Sequence, residues 1–289
     1  MIWKFLKGAL SLLCLSSVAF AYIPPSEYLL QRVAKRKDGF ADVKIISIVS
    51  NVDGDRPGAV KFRDVTVYDY QRRRLSSQAL DESGRVLFVR NREYPVKVLA
   101  DQKVVVPAHS LDGPITDFLL FEAVSELSVA VMKKWGIPVR TERDLGKFKE
   151  EKERRAEEQT YVRRLENRIA WIIGNPGKLD GSGQANYQLW LEKDTFLPLR
   201  AIGNFFDSGT RDRIEFVDQA YSQGFYYPKE LNLYRGDLWF LSARLDRIET
   251  TRKRTTPLDL PSGNDFTAVG RDASSELVSL IQQYYSYVR

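Results

Sequence analysis

Residues 186–200 read NYQLWLEKDTFLPLR. In the first half of this stretch every second side chain is apolar, namely Tyr187, Leu189 and Leu191. A period of two is typical of a strand that buries one face and leaves the other in water, as strands of antiparallel sheets commonly do. A second strand is expected at 197–203, after a polar turn. The segment therefore predicts a sheet with one apolar face and one wet face.

The same pattern extends from this stretch in both directions along the chain. Further strands are expected at 43–50, 59–70, 86–90, 96–99 and 103–106 on the N-terminal side, and at 168–173, 213–219, 229–235 and 237–249. Turn residues separate these strands, and no helix alternates with them as in a parallel sheet. We therefore expect a single α+β domain with one antiparallel sheet of about ten or eleven strands.

Three stretches have helical instead of strand spacing: 26–36, 115–134 and the C-terminal residues 272–289. The middle stretch is very apolar, but Asp117 and Glu122 within it argue against insertion in a bilayer. We expect it to lie on the sheet. Residues 140–158 carry 14 charges in 19 positions, which predicts a solvated helix or a mobile connector at about 140–160.

The N-terminus has the pattern of a secretory signal peptide. Lys4 and Lys7 form a charged region, residues 8–18 are apolar, and Ala19-Phe20-Ala21 matches an A-x-A cleavage site. We expect cleavage after Ala21, so that residues 22–289 form the exported protein.

The composition excludes several classes of function. The chain has 289 residues with 44 Lys plus Arg against 38 Asp plus Glu, and this scattered excess is too small to indicate a nucleic-acid surface. One His and one Cys exclude most metal sites built on imidazole or thiolate, and most catalytic relays built on His. His109 is interpreted as a turn residue, so we expect a binding protein and not an enzyme.

A basic run, Arg252-Lys253-Arg254, follows the last long strand. Two interpretations are open. The run could contact an anionic membrane surface or an acidic partner, or its charges could block edge-to-edge pairing of the sheet. Edge protection is the favoured interpretation.

Two segments resemble a known family. Residues 187–200, with a Trp-bearing strand that turns through D-x-x-x-LP into the next strand, look like the hairpin of periplasmic lipoprotein carriers of the LolA type and related outer-membrane lipoprotein-sorting proteins. The amphipathic helix over 27–35 is similar to their mature start. The resemblance covers about 24–50 and 161–249 by pattern.

The resemblance implies a strongly curved antiparallel sheet, an incomplete β-barrel, covered by helices. It also implies a periplasmic carrier that shelters acyl chains of lipoproteins or other lipids in an apolar hollow, needs no cofactor and meets inner- or outer-membrane partner proteins. The alternative is a regulator like the envelope-stress sensor RseB, which would use the same hollow to sense a ligand.

If the sheet is strongly curved, the apolar face of its strands lines a hollow, whereas a flat sheet under helices would bury the same residues as a core. Residues 115–132 are the expected lid. Trp190 is excluded from the lining because alternation places it on the opposite face. The residues expected to line the hollow and bind ligand are Trp171, Tyr187, Leu189, Leu191, Phe216, Leu233, Trp239 and Leu241.

Overall fold

The computed structural model describes residues 23–36, 39–93, 96–99, 104–107, 114–122, 132–147, 149–150, 153, 160–174, 187–206, 210–254, 259–261, 263 and 272–289. The predicted signal peptide, His109, residues 123–131 of the expected lid and much of the charged connector lie outside these ranges.

The described residues contain thirteen strands, and eleven of these form one antiparallel sheet in the order β4-β3-β2-β1-β13-β12-β11-β10-β9-β8-β7. The strands are β1 (Asp42–Asp53), β2 (Arg56–Asp69), β3 (Arg74–Leu80), β4 (Val86–Glu93), β5 (Val96–Leu99), β6 (Val104–Pro107), β7 (Thr160–Leu165), β8 (Arg168–Ile173), β9 (Gln188–Glu192), β10 (Pro198–Gly203), β11 (Asp212–Ser222), β12 (Phe225–Arg235) and β13 (Leu238–Thr251). In the part of the chain that the structure describes, β5 and β6 pair with each other as a separate two-stranded sheet. The large sheet is open, with β4 and β7 as its two edges.

The sheet consists of two meanders joined in its middle. One contains β1 to β4 and the other β7 to β13, and each runs from strand to neighbouring strand. Strand β1 joins them because it pairs with β13 from Asp42↔Thr251 to Asn51↔Leu241. Residues about 200 positions apart in sequence therefore share one hydrogen-bonded ladder.

Four α-helices have both of their ends in the described ranges. They are α1 (Ser26–Lys35), α2 (Ile115–Asp117), α3 (Glu142–Leu145) and α4 (Ser275–Tyr287). Helix α2 continues into a π-helical turn at Phe118–Glu122. Ser274 caps α4, since its side chain accepts a hydrogen bond from the Leu277 amide. Within these ranges no helix is long and apolar enough to cross a membrane.

The large sheet is concave on the face that the helices cover. The Phe121 ring, in the π-helical turn, lies 5.7 Å from the ring of Tyr68 in β2 and 5.9 Å from that of Tyr227 in β12. Strands β1 and β13 lie between β2 and β12, so a flat sheet would separate the two tyrosines by about 14 Å. Both tyrosine rings reach the same Phe121 ring across this span, as a concave face allows. The expected fold class, an open curved antiparallel sheet covered by helices, is confirmed.

Candidate functional site

Six of the eight residues expected to line a hollow lie buried on the concave face of the sheet. Pairing across the strands aligns them in rows: Trp171 of β8 lies opposite Leu191, and Leu233 of β12 opposite Leu241. The six all belong to one hydrophobic cluster: Trp171, Leu189, Leu191, Phe216, Leu233 and Leu241. The strands β8 to β13 thus supply a continuous apolar half of the concave face.

Tyr187 immediately precedes β9 and packs half-buried against the same cluster. Its ring lies against Gly136, where an added Cβ would be 2.2 Å from a ring carbon. Gly136 also has a φ of +71°, in the region that favours glycine. A glycine is therefore required where the chain after the expected lid approaches the sheet.

Trp239 lies on the opposite, polar face. A register shift between Leu233 and Tyr234 pairs Tyr234 with Trp239, and the two rings stack at 6.3 Å. Phe240 takes the concave position and contacts Phe206 at 5.6 Å. Alternation fails here because a β-bulge adds one residue to β13. Trp190 is on the polar face as expected, 5.7 Å below the Arg200 guanidinium.

The helices fill the space over the concave face. Leu30 of α1, Phe118 of the π-helical turn and Ile281 of α4 are buried in the same cluster as the sheet residues. Phe118 and Phe121 belong to the segment expected to act as a lid, so the described part of that segment lies where the lid was placed. In this structure the hollow is occupied by the chain's own side chains.

Strand β2 gives the other half of the concave face a polar character. Phe62, Asp64, Thr66 and Tyr68 alternate along one face of β2, and all four are buried. The Thr66 hydroxyl donates to Asp64 at 2.8 Å, and its oxygen lies 2.7 Å from the Ser77 hydroxyl of β3. The hollow is thus apolar over β8 to β13 and partly polar over β2 to β4.

Arg289, which follows α4, is completely buried in this polar half. Its guanidinium donates to Asp117 at 3.0 Å, to the Thr66 hydroxyl at 3.1 Å and to the Tyr227 hydroxyl at 2.6 Å. The same group lies 3.6 Å from Asp64 and 5.2 Å from the Phe121 ring centroid. One arginine therefore connects β2, β12 and α2.

The two carboxylates that face Arg289 are both fully buried. Burial raises the pKa of Asp64 and of Asp117, while the positive charge of Arg289 opposes this shift. The hydroxyls of Tyr284 and Tyr285 donate to Asp64 at 2.9 and 2.7 Å. Both tyrosines are on α4, so this helix supplies most of the groups that compensate the charge of Asp64.

Two arginines of β4 complete the polar half. Arg90 donates to the backbone oxygen of Tyr285, and Arg92 donates to that of Arg289 at 2.7 Å. Arg92 also lies 3.6 Å from Asp117. Burial, with the nearby charge of Arg92, lowers the pKa of Arg90 to about 10, so Arg90 stays protonated at neutral pH.

The basic run after β13 is not at a sheet edge, because β13 lies between β1 and β12. Arg254 instead forms an ion pair with Asp42 of β1 at 2.8 Å, and Arg252 donates to the Gln223 backbone oxygen at 2.7 Å. The edge-protection interpretation is therefore wrong. These residues tie the end of β13 to its neighbours.

Comparison with known proteins finds similar solved structures only. No family model and no curated protein matches the chain. The structure is similar to an outer membrane lipoprotein-sorting protein domain from Vibrio parahaemolyticus, with a TM-score of 0.44 and 10% identity over 81% of this chain and 94% of that one. It is also similar to a LolA superfamily protein from Nitrosomonas europaea, with a TM-score of 0.43 and 10% identity over 81% of this chain and 96% of that one.

Both names belong to the family that residues 187–200 resemble. With TM-scores below 0.5, the function has to be argued from the chain's own side chains.

The concave face combines an apolar half with a charged, hydrogen-bonded half. In the described ranges no group of three His, Cys, Asp or Glu side chains converges as a metal site. The charged residues of the polar half contact one another and α4, and the rest of the face is apolar. Such a surface can hold an amphiphile, with a tail on the apolar half and a head group on the polar half.

Sequence analysis missed the polar half of the site. In β2, Val65 and Val67 alternate with Asp64 and Thr66, and hydrophobicity alone favours burial of the valines. Phe62 and Tyr68 share the face of Asp64, and these two large aromatic side chains favour burial of that face instead. Nothing in the sequence pairs this strand with Arg289.

Proposed function

We propose that this protein is a periplasmic carrier that binds the acyl chains of lipoproteins or other lipids between the concave face of the sheet and the helices over it. Its proposed role is in outer-membrane lipoprotein sorting, with membrane proteins as partners that deliver or receive the lipid. The pattern of residues 1–21 supports export.

The observation that carries the proposal is how the apolar half of the concave face is covered. Six neighbouring strands, β8 to β13, form this half, while α1, the π-helical turn and α4 cover the concave face and add no strand to the ladder. A covering helix can therefore move away without breaking a backbone hydrogen bond of the sheet. The exposed trough would be apolar along its whole width.

The energy of acyl burial suffices for a carrier. Each buried methylene gains about 0.8 kcal/mol, so a chain of about twelve carbons gains on the order of 10 kcal/mol before the cost of ordering the chain. The covering helices lose contacts when they move, which reduces the net affinity. Reversible binding, as transfer requires, is the expected result.

Native mass spectrometry of protein purified from the cell envelope, followed by lipid extraction, tests this proposal. We expect the wild type to retain or accept an acylated ligand. Leu191→Glu should abolish binding because its carboxylate would be desolvated beside the acyl chain. Leu238→Glu is the matched control, since Leu238 is 67% exposed at the start of β13.

Thermal unfolding of both variants shows whether Leu191→Glu still folds. If Leu191→Glu does not fold, Leu191→Gln is used in its place, and the binding of a dodecyl probe to the wild type is measured by titration. A wild type that takes up no acyl ligand from the envelope or from solution would contradict the proposed function.

A further inference from the structure

The polar half of the hollow contains two acidic and two basic side chains, which a carrier of a plain acyl chain does not need. Asp64 and Asp117 are fully buried, whereas Arg90 and Arg92 are partly buried. Arg92 lies 3.6 Å from Asp117, so one acidic and one basic group already face each other. The four side chains come from β2, α2 and β4, and each of these elements contacts α4 or the residue after it: Tyr284 donates to Asp64, Thr116 donates to the Val288 backbone oxygen, and the Phe88 ring lies 4.7 Å from that of Tyr285. Buried charges are costly unless each has a partner of opposite charge or a hydrogen-bond acceptor or donor.

The chain's own C-terminal segment supplies both kinds of partner. The Arg289 side chain provides a cation to Asp117 at 3.0 Å and lies 3.6 Å from Asp64. The backbone oxygens of Tyr285 and Arg289 accept hydrogen bonds from Arg90 and Arg92. Arg289 alone thus brings both a positive group, its guanidinium, and a hydrogen-bond acceptor, its backbone oxygen, to the site. The two groups are separated by no more than the length of the side chain.

Removal of this segment would leave the four side chains without these partners. Asp64 would lose Tyr284, Tyr285 and Arg289 together, and Arg92 would lose its carbonyl acceptor. An occupant that carries only a tail restores none of these interactions, and a purely cationic or purely anionic head group restores one side only. A ligand that leaves these desolvated polar groups without charge or hydrogen-bond partners binds less tightly, so the site selects its ligand by the head group.

Resting on the proposed function, we infer that Arg289 and the end of α4 occupy a head-group subsite for a zwitterionic amphiphile, with an ammonium group next to a phosphate. The ammonium group takes the place of the Arg289 guanidinium beside Asp64 and Asp117, with the Phe121 ring on one side. The phosphate takes the place of the backbone oxygens at Arg90 and Arg92. The tail lies along the apolar half, and α4 is displaced as the ligand enters.

The test compares four amphiphiles with the same dodecyl tail, each titrated into the full-length protein below its micelle concentration. They are dodecylphosphocholine, dodecyltrimethylammonium, dodecyl phosphate and dodecyl maltoside. We expect dodecylphosphocholine to bind about tenfold or more tightly than each of the others, because its ammonium group adds an ion pair and a cation–π contact to the charge-assisted hydrogen bonds of its phosphate. Hydrogen exchange of the α4 amides should rise when it binds.

Two substitutions with matched controls separate the two ends of the head group. Asp117→Asn should abolish the preference for dodecylphosphocholine over dodecyl phosphate. Arg92→Gln should abolish the preference for dodecylphosphocholine over dodecyltrimethylammonium. Asp246→Asn and Arg63→Gln make the same charge changes at exposed positions, and both should keep the preferences. Arg63 is adjacent to Asp64 in β2 but on its other face.

The outcomes are distinguishable from those of the proposed function. Equal affinity for all four amphiphiles, or binding without faster exchange of α4, would overturn the head-group subsite and leave an acyl-binding hollow in place. If none of the four binds, the subsite and the proposed function both fail. If a variant does not fold, the head-group subsite is tested on the wild type alone, by its preference among the four amphiphiles and by hydrogen exchange of its α4 amides.

Discussion

At the scale of single residues, the burial of Arg289 is the feature that most constrains the polar half of the hollow. Its guanidinium is fully enclosed, and Asp64 and Asp117 beside it are enclosed as well. An arginine stays protonated in proteins, so the cluster is stable only while its acidic partners are present. Loss of either side leaves an uncompensated buried charge.

Arg289→Met should lower the free energy of unfolding by about 3–5 kcal/mol, because it leaves two buried carboxylates facing an apolar side chain. Urea denaturation measures this change. Arg244→Met, at an exposed position of β13, is the control and should change stability by less than about 0.5 kcal/mol. Equal stability of the Arg289 variant and the wild type would show that α4 is not held by this cluster.

The loss of stability in Arg289→Met should depend on pH. Burial raises the pKa of Asp64 and Asp117 in the folded protein, and the variant lacks the cation that opposes this shift. A carboxylate with a raised folded-state pKa takes up protons more readily folded than unfolded, so stability rises as pH falls through that pKa towards the lower unfolded-state pKa. Urea denaturation at neutral and mildly acidic pH should therefore show a smaller difference from the wild type in acid. A difference that grows in acid would contradict the assignment.

Sequence reasoning at this scale succeeded where alternation was unbroken and failed where geometry intervened. Leu189 and Leu191 share a buried face as the period of two predicts. Trp239 does not, because a bulge between paired strands cannot be seen in one strand's sequence. Asp64 was missed for a different reason: its partner Arg289 is 225 residues away, and no local pattern connects them.

At the scale of elements, apolar strands were predicted and polar ones were not. The predicted 96–99 and 168–173 match β5 and β8 at both ends, and nine further strands were placed within a few residues. Strand β3 has the sequence RLSSQAL and β7 has TYVRRL, and neither alternates clearly. These two segments form strands because they pair with β2, β4 and β8. Such pairing depends on the tertiary structure and is not visible in the local sequence.

The approach of the 132–139 segment to the sheet depends on Gly136. Gly136→Ala should lower the free energy of unfolding by more than about 1 kcal/mol, since a Cβ would meet the Tyr187 ring and the backbone φ is +71°. Gly84→Ala is the matched control, because Gly84 has a φ of +84° but no atom within 4 Å of the added Cβ. Thermal unfolding should show the larger loss at Gly136. Equal losses would mean that contact with Tyr187 contributes nothing.

At the scale of the whole molecule, the central ladder predicts a single cooperative unit. Strand β1 pairs with β13 over most of its length, so the N-terminal and C-terminal meanders share one sheet. Limited proteolysis within the charged connector at about 140–160 should therefore produce fragments that stay associated and unfold together. Two fragments that separate and each unfold cooperatively would show that the connector divides two domains.

Fluorescence quenching by a brominated acyl chain tests the binding of a tail on the concave face most directly. Bromine quenches tryptophan on contact, and the tryptophans are distributed over both faces: Trp171 lies on the concave face, whereas Trp190 lies on the polar face under Arg200. Two variants, in which either Trp171 or Trp190 is the only tryptophan left and the others are Phe, are titrated with the same probe. We predict saturable quenching of Trp171 and no quenching of Trp190. Quenching of Trp190 alone, or of neither residue, would contradict binding in the hollow.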